Sequence, residues 1–160
     1  MIHGVYRNYF HIGKIGFKIA RFDWSNTNAF CGFLAGIIMN LLERRRYKYY
    51  VLRKSYKQWD NTWTYLNKTD IRLAPCYFSC GLFNIVKHLP YNVQTWKGLS
   101  KIYHVESFED EWNEKTAYLL DDIKLANFRR DVDGKVYYVD YGNFNLTYAN
   151  RMNVLLIDYK

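Results

Sequence analysis

The spacing of the apolar residues changes once, early in the chain, and that change restricts the fold more than any other feature. Up to residue 23, Val5, Tyr9, Phe10, Ile12, Ile15, Phe17, Ile19 and Phe22 come in short aromatic-apolar runs broken by Gly13-Lys14 and Gly16. Such runs predict two or three antiparallel strands joined by tight turns. After Ser25-Asn26-Thr27-Asn28, a cluster of helix-capping residue types, Phe30, Phe33, Leu34, Ile37, Ile38, Leu41 and Leu42 recur at three- and four-residue steps. A helix from about residue 28 to 50 or beyond is expected. Gly32 and Gly36 within it form a G-x-x-x-G pattern that permits close packing.

Strand-like runs then return. In IRLAPCYFSCGLFNIVKH a first run ends near Phe78, Ser79-Cys80-Gly81 supply a turn, and Leu82 to His88 form a second run closed by Pro90. The preceding segment, Ser55 to Asp70, fits either the end of the long helix or a loop. From about 106 to 120, Phe108, Trp112, Tyr118 and Leu119 fall at helical steps, with acidic residues in the first turn where the helix dipole favours them. Asp133-Gly134 then stands between two apolar runs, the second alternating from Lys135 to Val139, and predicts another hairpin. Strands joined by hairpins and segregated from helices imply an α+β domain and argue against a parallel βαβ fold.

Composition narrows the class. With 49% hydrophobic and 19% aromatic residues in 160, and two Pro and nine Gly without low-complexity tracts, the chain is neither disordered nor a linker but one compact domain. Cys31, Cys76 and Cys80 match neither a disulfide framework nor a four-ligand zinc site, and Met1-Ile2-His3-Gly4 does not open a signal peptide, so a cytoplasmic protein is expected. Ala29 to Leu42, interrupted by Asn40, is 14 residues long and falls short of the roughly 20 needed to cross a bilayer, so no membrane partner is expected. The net charge of +8 is segregated: residues 43–57 carry seven cations and one anion, residues 106–122 seven anions and one cation. Cations interleaved with Tyr and Trp suit nucleic acid as well as a solvated helix face, so a basic nucleic-acid-binding module on 44–57 is one reading. His3, His11, His88 and His104 lack metal-ligand spacing, and Asp121 beside Asp122 points away from its neighbour instead of sharing a proton with it.

The most specific stretch is LDDIKLANFRRDVDGKVYYVDYG, residues 120–142. Asp122, Lys124 and Asn127 in D-I-K-L-A-N are followed, 13 residues after Asn127, by Asp140-Tyr141-Gly142. Moving a phosphoryl group requires hard oxygen ligands for the metal that neutralises a triphosphate, and a carboxylate near the incoming hydroxyl. Two carboxylates and an Asn supply those groups, and a hairpin between Asn127 and Asp140 would return both to one cleft.

This block resembles the catalytic loop and D-F-G motif of the protein kinases, in particular the reduced kinase-like proteins of bacteriophages. The resemblance implies a minimal kinase-like fold, with about residues 1–90 as an N-terminal lobe and 91–160 as a reduced C-terminal lobe. It further implies ATP and Mg2+ as cofactors, Asp122 as the base or orienting carboxylate, Lys124 as partner of the transferred phosphate, and Asn127 and Asp140 as metal ligands. Lys18 in G-F-K-I-A is similar to the phosphate-binding lysine of the third strand, with Lys14 as its rival. Glu43 on the following helix would pair with it, or else stand as a helix-surface carboxylate beside Arg46 or Tyr47. Arg72 to Phe78 and Leu82 to His88 resemble the fourth and fifth strands, and His88-Leu89-Pro90 the hinge that meets adenine. The chain departs from the family in three respects: Leu120-Asp121-Asp122 replaces H-R-D, Gly4, Gly13 and Gly16 do not form a G-x-G-x-x-G loop, and 18 residues follow Gly142. The expected function is an ATP/Mg-dependent phosphotransferase acting on a protein, with a second copy able to complete the small C-terminal lobe. A catalytically inactive scaffold or inhibitor that binds a protein partner is the alternative.

Overall fold

The computed structural model describes residues 2–3, 6–24, 27–52, 60–104, 106–116 and 124–142. It is an α+β fold in which helices pack around two small sheets. In the first sheet, strands β1 (Ile2–His3), β2 (Arg7–Ile12), β3 (Ile15–Ala20), β6 (Phe83–Lys87) and β5 (Cys76–Ser79) pair in that order, all antiparallel. Gly13, with φ +56°, makes the β2–β3 turn. Gly16 does not break the run: it sits inside β3, paired with His11 and Val86, where a Cβ would come within 2.7 Å of the Tyr9 ring.

Helix α1 (Ala29–Leu52) closely matches the expected helix and packs on β3 and β5. Gly36 makes the approach possible, since a Cβ there would lie 2.5 Å from the Tyr6 carbonyl oxygen and 3.2 Å from Ala20 Cα. The residues that announce this helix are mostly not the ones it buries. Phe30, Leu34, Ile38 and Leu41 are exposed, while Gly36, Met39, Asn40, Leu42, Glu43 and Arg46 are buried. A helix whose inward stripe carries an amide, a carboxylate and a guanidinium has been aimed at a polar centre. Two cations of the basic stretch turn inward as well, Arg44 donating to the Cys76 carbonyl and Arg46 to that of Tyr141. Residues 53–57 of that stretch lie outside the described residues.

The open segment before residue 70 holds a helix, α2 (Asp60–Thr69). The next expected strand splits in two. Strand β4 (Arg72–Leu73) joins the second sheet, parallel to β9 (Val136–Tyr138), and only from Cys76 does the chain pair with β6. Pro75, which has no N–H to donate to a ladder, marks the crossing between sheets. Arg72 therefore does not begin the hairpin arm that the sequence predicts.

The second sheet runs β4, β9, β8 (Phe128–Arg130), β7 (Tyr91–Asn92), with β8 and β9 forming the expected hairpin around Gly134 at φ +78°. Helix α2 contributes Tyr65 and Leu66 to the core beside it, and two further helices pack there. Helix α3 (Trp96–Tyr103) was not anticipated; it is capped by the Thr95 hydroxyl, which accepts from Gly98 N–H at 3.0 Å. Helix α4 (Phe108–Thr116) carries Glu109, Asp110 and Glu111 in its first turn. Between sheet and helices lies an aromatic core in which the Trp112 ring stands 4.9 Å from those of both Phe128 and Tyr138 and 5.8 Å from that of Phe108. All three cysteines are free, and Cys76 is the buried one, its thiol pushed up to about 12 by burial and by Glu43. Among the described residues, no helix is long and apolar enough to cross a membrane.

Candidate functional site

The inward stripe of α1 meets the first sheet at Glu43, which is 1% exposed. Its carboxylate is fully engaged. Lys18 Nζ, from β3, donates to Oε1 at 2.6 Å, while Arg7 Nη1, from β2, donates to Oε2 at 2.7 Å and Asn84 Nδ2, from β6, at 3.3 Å. Asn40, one helical turn before Glu43, accepts from Arg7 at 3.3 Å and donates to the Gly81 carbonyl at 2.7 Å, tying the helix to the β5–β6 turn. Lys14, the rival to Lys18, lies in the exposed β2–β3 turn, where its carbonyl accepts from His88 N–H at 2.9 Å.

The second sheet brings the other half of the site. Val139 N–H donates to the Asn127 carbonyl at 2.8 Å across the β8–β9 hairpin, so the segment before β8 and the segment after β9 are locked side by side. Asp140 follows with φ +64°, a left-handed conformation that Asp tolerates better than most residues and that is concentrated at functional positions. There its Oδ1 meets Lys18 Nζ at 3.2 Å and also pairs with Arg7. Gly142 has no space for a side chain, because a Cβ would lie 2.9 Å from Glu43 Cβ and closer still to the Met39 carbonyl. Tyr141 is buried and donates to the Ala74 carbonyl at 2.5 Å.

Charges held this far from water shift one another. Burial draws the Lys18 amine down to about 8; Glu43 opposes that and Arg7 reinforces it. For Glu43, burial alone would raise the carboxyl, but the charges and hydrogen bonds of Lys18 and Arg7 outweigh it and hold the group below its ordinary range.

These groups border a cavity of about 390 Å³, a size suited to a small molecule. Of the residues singled out by sequence, Lys18, Glu43, Leu89, Lys124, Asn127 and Asp140 all line it. Asn127, in a 3-10 turn (Leu125–Asn127), is buried. Ala74, Val86, Leu89 and Val139 contribute apolar groups to the wall, and Lys87 and Arg129 contribute charge. His88 does not line the cavity. Its ring stacks on His11 with centroids 3.7 Å apart and shares a hydrogen bond of 2.7 Å with the Tyr9 hydroxyl. Burial, His11 and Arg129 hold its pKa below the usual histidine range. Asp122 lies outside the described residues, as do Ser55 and the end of the chain. Arg7 was missed by sequence reasoning, as were Asn40 and Asn84, because an Arg opening an aromatic strand carries no sign that it will be buried.

Asp140 and Asn127, both on the cavity wall, carry side-chain oxygens of the kind that suits a hard cation. No group of three His, Cys, Asp or Glu side chains able to hold a metal gathers among the described residues. No protein-family model matches the chain, and no curated protein or solved structure matches it.

Proposed function

We propose that the chain is an ATP- and Mg2+-dependent phosphotransferase of the protein-kinase-like type. The observation that carries this reading is the Lys18–Glu43 pair at 2.6 Å, with Lys18 also 3.2 Å from Asp140, on a cavity that Asn127 and Lys124 share. The order of elements supports it too. A lysine strand, a long helix bearing the paired carboxylate, two antiparallel strands returning to the lysine strand, and a chain crossing at Leu89 follow one another as the resemblance implies.

In this reading the apolar wall of Ala74, Val86, Leu89 and Val139 takes the base of the nucleotide. Lys18, oriented by Glu43, binds the phosphates next to the base, and Lys124 faces the phosphate to be transferred. Asp122 accepts the proton of the acceptor hydroxyl on a protein substrate. Asn127 and Asp140 would hold magnesium, which neutralises developing charge on the phosphates when bound.

Replacing Asp140 by Ala is expected to abolish magnesium-dependent transfer of labelled phosphate from ATP while circular dichroism shows the fold retained. Transfer at the wild-type rate would overturn the assignment. A second reading, a kinase-like scaffold without turnover, is favoured by Arg7, whose guanidinium already pairs with Asp140. Wild-type protein that is stabilised by ATP, by about 2.7 kcal/mol at one hundred times the dissociation constant, yet transfers nothing would select it.

A further inference from the structure

Lys18, Glu43 and Asp140 alone would leave the centre of the site with one excess negative charge, which a divalent cation would more than offset. Arg7 changes that balance. With it, two cations face two carboxylates and the group is neutral before any ion arrives. The guanidinium is also fixed in place. Arg7 is 7% exposed, and its Nη1 is held at 2.7 Å by Glu43 and at 3.3 Å by Asn40, whose own amide is fastened to Gly81. A planar fork of donors can address two carboxylates at once, and unlike an amine it keeps its charge at every working pH.

Both cations pair with the same oxygen of Asp140, so an ion bound to this carboxylate would sit beside two fixed positive charges and be repelled by both. Along the rest of the wall stand three more cations, Lys87, Lys124 and Arg129, of which Lys87 pairs with Asp131 at 3.1 Å. A polyphosphate entering the cavity therefore meets built-in positive charge where a bare carboxylate set would need a metal to make it welcome.

We infer that Arg7 is a resident cation at Asp140 that lets the cavity bind a nucleoside triphosphate without a divalent metal. This rests on the nucleotide reading above and separates binding from transfer: the metal is required for the second step and not for the first.

The test is titration of the full chain with an ATP analogue carrying a ribose-linked fluorophore, in magnesium and in EDTA. For the wild type the two dissociation constants are expected to agree within about threefold. Arg7→Met is expected to bind about tenfold or more weakly in EDTA and to recover most of that loss with magnesium. Wild-type binding that tightens tenfold or more on adding magnesium overturns the inference but leaves the nucleotide reading standing. Absence of binding in both buffers overturns both. Should Arg7→Met fail to fold, the wild-type comparison still decides, and Asp140→Asn supplies a second one. Removing the carboxylate that Arg7 neutralises releases that guanidinium's charge toward the phosphates and is expected to tighten EDTA binding, and a loss of tenfold or more there contradicts the role given to Arg7.

Discussion

The two halves of the molecule are filled by opposite chemistries. Under the first sheet, Arg7, Lys18, Asn40, Glu43 and Asn84 are packed together with little or no access to water. Beside the second sheet, the interior is made of rings: Phe108, Trp112, Phe128 and Tyr138 are all fully buried. Burying rings contributes to stability directly, through apolar area and edge-to-face contacts. Burying ions does not, because desolvation offsets most of the attraction between them, and apolar residues of the same volume would hold the fold at least as well. The contrast separates the part of the chain that holds the fold together from the part that retains its charges for another purpose.

The largest expected effect breaks the aromatic half. Trp112→Ala removes the ring on which those of Tyr65, Phe108, Phe128 and Tyr138 converge and should cost about 3–5 kcal/mol in chemical denaturation. A cost below about 1 kcal/mol would show that the aromatic cluster is not the principal core. On the charged side, Glu43→Gln leaves two buried cations facing one carboxylate and should cost about 3 kcal/mol. Replacing Arg7, Lys18 and Glu43 together by Met or Leu should then be neutral or stabilising, while nucleotide binding is lost. A triple variant less stable than Glu43→Gln would place the cluster among the supports of the fold and dissolve the contrast.

The smallest effect is a matter of pH. Folded Lys18 titrates near 8, against 10.5 for an unperturbed lysine, so above about pH 8 the folded state has released a proton that the unfolded chain retains. From this group, stability rises with pH through that window. Its grip on phosphate does the reverse. Going from about pH 7 to about pH 9 should weaken nucleotide binding about tenfold without lowering Tm. Binding that is flat across this range would mean that the Lys18 charge does not hold the phosphates.

Much of this arrangement was legible in the sequence, and for identifiable reasons. Asn127, Asp140 and Gly142 fall within one short block whose hairpin is signalled by Asp133-Gly134, so their convergence needs only local geometry. Glu43 is the single acid in a long helix, which made it conspicuous. What escaped notice depends on contacts distant along the chain. Burial of Arg7 is decided by residues more than thirty positions away, and nothing in R-N-Y-F-H-I distinguishes it from an exposed strand residue. The exposed face of α1 misled in the opposite direction, since Phe30, Leu34, Ile38 and Leu41 repeat like a core stripe but face outward. Helix α3 has only eight residues, too few for periodicity to register. The parallel pairing of Arg72 with Tyr137 joins segments that no turn signal connects.

Gly142 rests its bare backbone on α1, hard against Met39 and Glu43. Contact of that kind works like the teeth of a gear. Because Arg46 of the same helix also donates to the Tyr141 carbonyl, a pivot of α1 carries the Asp140 strand-end with it, so the two acids that face Lys18 are re-aimed together and the helix becomes a handle on the whole cleft.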